Sequence, residues 1–308
     1  MGATYSRCES LVPVNELAEL DVFYGDLTVA QGYVYARLAR PSDDAGLSLA
    51  GTVRGPRCLH AQTLPLSSPL ADLGPGPTLL ARAVVPDPCF WSPDLPAIYD
   101  VTVNLLRGRE VIAAERREIG LRSFGVRGRG FVLEGKHWVL RGVMARSTLA
   151  RLPREWHEAL AAYVAVCPED DSLAEASQWG SLSVVELAAD GESPASRLRA
   201  IARFPGVAIA VVRGALPAEL RPADVAPNLI LAQFLGPSDP LVRAPWAQVV
   251  FAPADDPRRI AELAATIDVP VVAVRPLVEP LPIADARAAC DVLQRDLAPL
   301  GQLAGYIV

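Results

Sequence analysis

Apolar and polar positions follow two different rhythms along the chain, and the change of rhythm divides it. From Asp21 to about Ser123, short apolar runs alternate with turn signals, as in GYVYARLAR (32–40), GLSLAGTVRG (46–55), TLLARAVV (78–85) and IYDVTVNLLRG (98–108). In the last of these, Val101, Val103 and Leu105 fall on one side and Thr102 and Asn104 on the other. That is the period of two of a half-buried strand. Gly and Pro clusters such as DLGPGP (72–77) punctuate the runs. About seven runs in roughly a hundred residues predict an immunoglobulin-like β-sandwich over residues 21–124. The Cys…Trp…Cys pattern of antibody domains is absent. Residues 1–20 have no clear period and are expected to form a short leader packed on the sandwich.

From Trp138 onward strand-like and helix-like segments alternate. Residues 206–235 show the unit most plainly: VAIAVVRG, then ALPAELRPADVAPN, then LILAQFLG. Strands are predicted at about 138–144, 163–167, 182–187, 207–213, 229–235, 247–252, 270–275 and 303–308, with seven helix-length segments between them. In PRRIAELAATI, Ile260, Leu263, Ala264 and Ile267 share one helical face, and Asp255 and Asp256 suit its N-terminus. Trp156, Leu160 and Tyr163 suggest a similar stripe. The strands are nearly continuous apolar runs, as expected when both faces are covered. Eight such units predict a small, degenerate TIM-type (β/α)₈ barrel over residues 125–308. About 170 residues for the eight units is short against the usual ~250, so the loops, and the wall around any pocket, must be low. The join is expected near Arg122–Arg129, followed by a hairpin, FVLEGKHWVL, turning at Glu134-Gly135.

Composition narrows the function. The chain has 308 residues, enough for two cores, and 51% hydrophobic with 21% charged residues marks a folded protein. A net charge of −6 gives no reason to expect nucleic acid as a partner. Lys136 is the only lysine, an arginine bias read as genome composition. The five cysteines (8, 58, 89, 167 and 290) are scattered without a CxxC pair, so they are expected as reduced, mostly buried thiols, with no metal site and no cofactor. No apolar run reaches the ~18–20 residues of a membrane span, and no secretory signal is visible, so a bacterial, cytoplasmic protein is expected.

Three motifs then carry a resemblance. FWSPDLPAIY (90–99) is similar to the Trp-Ser-Pro-x-x-Pro-x-Leu-Tyr run in the immunoglobulin-like domain of glycoside hydrolase family 2, the family of β-galactosidases, β-glucuronidases and β-mannosidases. GLRSF (120–124) resembles that family's Gly-Phe-Arg-x-(Ile/Phe), and FVLEGKHWVLRGVMARS (131–147) resembles the segment leading into its first barrel strand. CPEDDSLAEASQWGSLSVVEL (167–187) continues the register more weakly, with Pro168 and Gly180 matching and Glu186 at the third-strand acid. The family's N-terminal sugar-binding sandwich has no counterpart in this sequence.

The departures fall on the chemistry. The family's Asn and His after the first strand are Met144 and Arg146 here, and its second-strand His is Cys167. Laid on the family's pattern, the fourth-strand acid/base position holds Ala215 and the seventh-strand nucleophile position holds Arg275. A retaining glycosidase needs two carboxyl groups about 5–5.5 Å apart, and neither a methyl group nor a guanidinium can replace one. The resemblance therefore implies a catalytically impaired relative, a carbohydrate-binding or scaffolding pseudoenzyme whose partner is a carbohydrate or a protein. One alternative is an active β-glycosidase using relocated acids such as Glu186; another is a structural or assembly protein with a filled pocket. The candidate pocket comprises Arg146, Cys167, Glu169, Glu186, Arg213, Gln233 and Arg275. Asp170 and Asp190 are further strand-end acids, and Glu219 and Glu279 lie beyond the strand ends. Glu186 is expected to pair with Arg213 or Arg275, and Glu169, Asp170 and Asp171 to cap the next helix. Trp179 and Trp246 could stack on a sugar but read more simply as core.

Overall fold

The computed structural model describes residues 17–39, 46–145, 153–187, 193–217, 220–279 and 281–308. The first part contains seven antiparallel strands: β1 (Asp21–Gly25), β2 (Gln31–Ala39), β3 (Leu47–Arg57), β4 (Leu66–Asp72), β5 (Thr78–Pro86), β6 (Ile98–Arg107) and β7 (Glu110–Ile119), in the order β1-β2-β5-β4-β3-β6-β7. β4 pairs with β3 through Leu66–Leu70 and with β5 through Ala71 and Asp72. That switch of partner folds the sheet over on itself into a sandwich. The two inner faces meet in one core, with Val34, Ala36 and Leu38 of β2 opposite Val101, Val103 and Leu105 of β6. The alternation in β6 thus points where its period of two predicts.

The expected join is itself a strand. β8 (Phe124–Arg127), β9 (Gly130–Leu133) and β10 (Lys136–Trp138) form a three-stranded sheet. Glu134 and Gly135, at φ 51° and 76°, make the two-residue turn of the predicted hairpin. Phe124 packs against Phe131 at 5.4 Å and Trp138 at 5.5 Å. With Leu140 they join the barrel's inner cluster and plug its N-terminal end.

Eight parallel strands then close: β11 (Leu140–Met144), β12 (Ala162–Val166), β13 (Ser183–Leu187), β14 (Val207–Arg213), β15 (Ile230–Phe234), β16 (Val249–Pro253), β17 (Val271–Val274) and β18 (Gly305–Ile307), with β18 pairing back to β11. Six helices are present among the described residues: α1 (Arg154–Glu158), α2 (Asp170–Trp179), α3 (Pro194–Ala202), α4 (Pro222–Val225), α5 (Pro257–Thr266) and α6 (Ile283–Leu297). Strand residues alternate between two cores, as a covered parallel sheet requires. Val164, Val211, Phe251 and Ile307 fill the barrel, while Tyr163, Ala210, Val250 and Tyr306 pack outward with Leu173, Ile260 and Leu293 of the helices.

α5 forms as its pattern predicts, with Asp256 accepting from the Arg258 and Arg259 amides. Two helix expectations fail. Residues 236–246, a predicted helix-length segment, contain no helix, because Pro237, Pro240 and Pro245 interrupt the stretch. The Trp156–Leu160–Tyr163 stripe is not helical either: Leu160 turns left-handed at φ 55° and ends α1, and Tyr163 lies on β12 with its ring 5.1 Å from that of Trp156.

The sandwich is fastened to the barrel by buried polar contacts. Trp91, fully buried, donates its indole N–H to the Ser177 carbonyl of α2 at 2.9 Å. Arg122, 6% exposed, donates to the carbonyls of Pro205 and Asn228. Asn228 in turn holds β1, exchanging two hydrogen bonds with the Tyr24 backbone. Arg122→Ala is expected to cost about 2–3 kcal/mol in urea unfolding, because a buried and a half-buried carbonyl lose a charged donor. A cost under about 1 kcal/mol would show that the clamp contributes little.

A second contact at the same junction titrates. The His60 ring, in the loop after β3, stacks on His157 of α1 at 4.8 Å and packs on Trp179 of α2 at 5.3 Å. Burial, helped by His60, holds the His157 pKa below its ordinary 6.5. The unfolded chain therefore takes this proton first as pH falls below 6.5, so stability declines from there down to the lower folded value. Thermal unfolding between pH 7.5 and 5, compared with His157→Gln, is expected to show a shallower decline in the variant.

Candidate binding site at the barrel mouth

The C-terminal ends of the barrel strands surround a cavity of about 190 Å³. Its walls come from the inward face of each strand: Val164, Val211, Phe234, Phe251, Val274 and Ile307, with Met144 at the rim. Three charged side chains join them: Glu186, Arg213 and Asp255.

Strand alternation explains the arrangement. Val211 and Arg213 share a face of β14, and Phe234 faces the same way on β15. The register sets Arg213 beside Phe234 on one side and, on the other, two positions beyond Val211, the partner of Glu186 on β13. Arg213 donates Nε to Glu186 Oε1 at 2.5 Å and Nη2 to Oε2 at 3.0 Å. Its guanidinium carbon lies 3.6 Å from the centre of the Phe234 ring. The fork-to-fork pair, stacked on an aromatic face, is a rigid unit. Both carboxylate oxygens of Glu186 are engaged, so in this arrangement it offers neither a free nucleophile nor a proton.

Asp255 is different. It is exposed, lies two residues past the end of β16, and makes no ion pair or hydrogen bond among the described residues. The sequence marks it only as an acid beside a helix start. What could have singled it out is its place just past a barrel strand's C-terminal end.

The other predicted residues disperse. Cys167 is exposed at φ 43°, and its sulfur lies 2.9 Å from Arg197 of α3. Glu169 occupies the N-cap position of α2 without a side-chain capping bond, while Asp170 pairs with Arg203 at 2.9 Å. Gln233 turns into the β15–β16 loop, accepting from the Ala244 amide at 2.7 Å and donating to the Val242 carbonyl at 3.4 Å. Arg275 turns outward to Asp296 of α6 at 3.5 Å and to the Ala254 carbonyl. Glu186 therefore pairs with Arg213 and not with Arg275. Ala215 is exposed and lines an outer groove beside Trp246. Trp179 belongs to the sandwich junction. Arg146, Asp190 and Glu219 lie outside the described residues, and Glu279 is exposed after β17. Beyond the apolar β17 the cavity lining continues with Pro276, so Arg213, Val274 and Pro276 line the cavity at the ends of the fourth and seventh barrel strands, and none is an acid. The described residues hold no His/Cys/Asp/Glu group that could bind a metal ion. Of the four described thiols only Cys290 is buried, and burial pushes it up to about 11.

No family profile and no curated protein matches the sequence. Solved structures do. An FMN-binding β-glucuronidase from Facaelibacterium prausnitzii L2-6 superposes at a TM-score of 0.63 and 13% identity, covering 94% of this chain and 55% of its own. A Bacteroides uniformis β-glucuronidase gives 0.61 and 15%, with 94% and 45% covered. A glycosyl hydrolase family 2 member from Bacteroides cellulosilyticus gives 0.63 and 16%, with 95% and 43% covered. The chain has the sandwich-and-barrel fold of glycoside hydrolase family 2. It spans about half the length of these proteins, and at such identities the likeness is one of fold.

The mouth holds its shape through its ion pair. Glu186 is 15% exposed at the side chain and Arg213 46%. Arg213→Ala strands the more buried partner and is expected to cost about 1–3 kcal/mol in urea unfolding. The double variant Glu186→Gln/Arg213→Met is expected to recover most of that loss, because neither charge is then left alone.

Proposed function

We propose that the chain is a catalytically silent relative of the family 2 glycosidases that uses its barrel mouth as a ligand-binding site. One observation carries the reading: the cavity-lining positions at the ends of the fourth and seventh barrel strands hold Arg213, Val274 and Pro276, where hydrolysis needs acids. Glu186, the acid at the third strand end, is tied to Arg213 by both its oxygens. Loss of one member of a catalytic pair costs orders of magnitude in rate, and here neither position carries a carboxyl group. The cavity argues for binding over a purely structural role, since a filled barrel mouth would leave no such space.

A second reading has one observation in its favour: Asp255 and Glu186 line the same cavity, so two carboxylates are available to a relocated mechanism. The two readings separate in one assay. Purified chain is incubated with aryl β-glucosides, β-galactosides and β-glucuronides, beside Glu186→Gln and Asp255→Asn. The silent reading expects release no faster than the buffer control in all three proteins. Turnover that both substitutions abolish would establish the relocated acids instead.

A further inference from the structure

The mouth is poorly matched to a sugar and well matched to something else. A pyranose carries four or five hydroxyl groups, each of which must find a partner when it leaves water, and an unpaired buried one costs about 1–3 kcal/mol. Among the described residues the cavity wall offers three polar side chains, and two of these, Glu186 and Arg213, are spent on each other. The aromatic face of Phe234, a natural platform for a sugar ring, is covered by the Arg213 guanidinium. What remains is an aliphatic and aromatic wall, chiefly Val164, Val211, Phe251 and Ile307, from which apolar ligand surface gains about 25 cal/mol per Å² buried. A volume of about 190 Å³ lies below the roughly 300–1,000 Å³ of drug-sized pockets, so one ring with a short tail fills it.

Charge completes the description. Among the described residues the wall carries two acids and one base, Glu186 and Asp255 against Arg213, a net charge of −1. The unbalanced charge is on Asp255, at the solvent side, with no ion-pair partner among the described residues. A ligand that buries its ring and leaves a cationic group beside Asp255 satisfies both features. Resting on the reading of the mouth as a binding site and not a hydrolytic one, we infer that it takes a compact, single-ring apolar ligand bearing one ammonium group. The ring occupies the space above Val211 and Phe251, and Asp255 meets the amine.

Calorimetric titration of the intact chain at neutral pH tests this with phenethylamine, 2-phenylethanol, 3-phenylpropionate and methyl β-D-glucopyranoside. The amine is expected to bind about three- to fivefold tighter than the alcohol, the increment of one solvent-exposed ion pair, and about tenfold or more tighter than the carboxylate. The glucoside is expected to give no heat of binding. Asp255→Asn should bring the amine within about twofold of the alcohol, and Asp255→Lys should place the carboxylate above the amine. Val211→Trp, which fills the cavity, should abolish all binding. Asp255 is exposed, so its variants report even if Val211→Trp does not fold. The inference is overturned if the glucoside binds as tightly as the amine, if no aromatic probe binds up to about 10 mM, or if Asp255→Lys leaves the order unchanged. Glycoside turnover would defeat the silent reading whatever the order of these affinities. A missing order without turnover would defeat this inference alone.

Discussion

Everything in the C-terminal part hangs on the seam where β18 closes against β11. Leu140 stands in register with Gly305, and Gly142 with Ile307. A Cβ on Gly305 would lie 2.6 Å from Leu140 Cβ, and one on Gly142 would lie 2.6 Å from Val164 Cγ2. The strands close only because two inward positions carry no side chain, leaving the space to Leu140, Val164 and Ile307. Without closure, β11 and β18 would each present an unpaired edge, and the ring of strand ends would not exist. With it, inward residues stack in layers, and the top layer becomes the mouth.

Side chains in that top layer are set by strand alternation, whatever their chemistry. Glu186, Arg213 and Phe234 are adjacent because β13, β14 and β15 are adjacent and in a fixed register. A charged pair placed there must be self-sufficient, since the surrounding wall has almost nothing polar to offer it. The bidentate geometry meets that condition, and the Phe234 face beneath the guanidinium adds a further contact. The same economy explains the outward arginines. Arg275 finds a carboxylate on α6 and a backbone carbonyl, so it tethers a helix and leaves the cavity to Val274 and Pro276.

Much of the architecture was legible in residue order. All eight barrel strands fall within a few residues of their apolar runs, since both faces of a parallel strand are apolar and the run length marks the strand. The sandwich strands were legible through their alternation, and the Glu134-Gly135 turn through its residue types. The failures have local causes. Trp156, Leu160 and Tyr163 keep helical spacing across a boundary that a left-handed Leu160 imposes, and spacing alone does not reveal backbone handedness. The site was legible only in part. Glu186 and Arg213 were found because each is the last inward-facing residue of its strand. Gln233, Cys167 and Arg275 also sit at or just past strand ends, but on the wrong side or past the last inward position, where a one-residue step reverses direction. Asp255 was hidden by its neighbour: Asp256 is the helix cap, and the pair read as one signal.

The contacts that join the two parts and the contacts that form the mouth are physically separate sets. The contacts that hold the two parts together, Trp91 to Ser177 and Arg122 to Pro205 and Asn228, lie away from the strand ends. The hairpin plug of Phe124, Phe131 and Trp138 closes the opposite end of the barrel. None of these contacts involves a cavity-lining residue, so a change at Arg213, Phe234 or Pro276 leaves them in place, whereas Val164 and Ile307 also fill the closing seam. Because sites are set by the side chains at the strand ends, the fold constrains where a ligand lies and leaves its chemistry open. With Val274 and Pro276 at one strand end and Glu186 tied to Arg213 at another, the mouth presents little free polarity. An apolar wall with one unbalanced carboxylate at its rim, among the described residues, is the sum of those local choices.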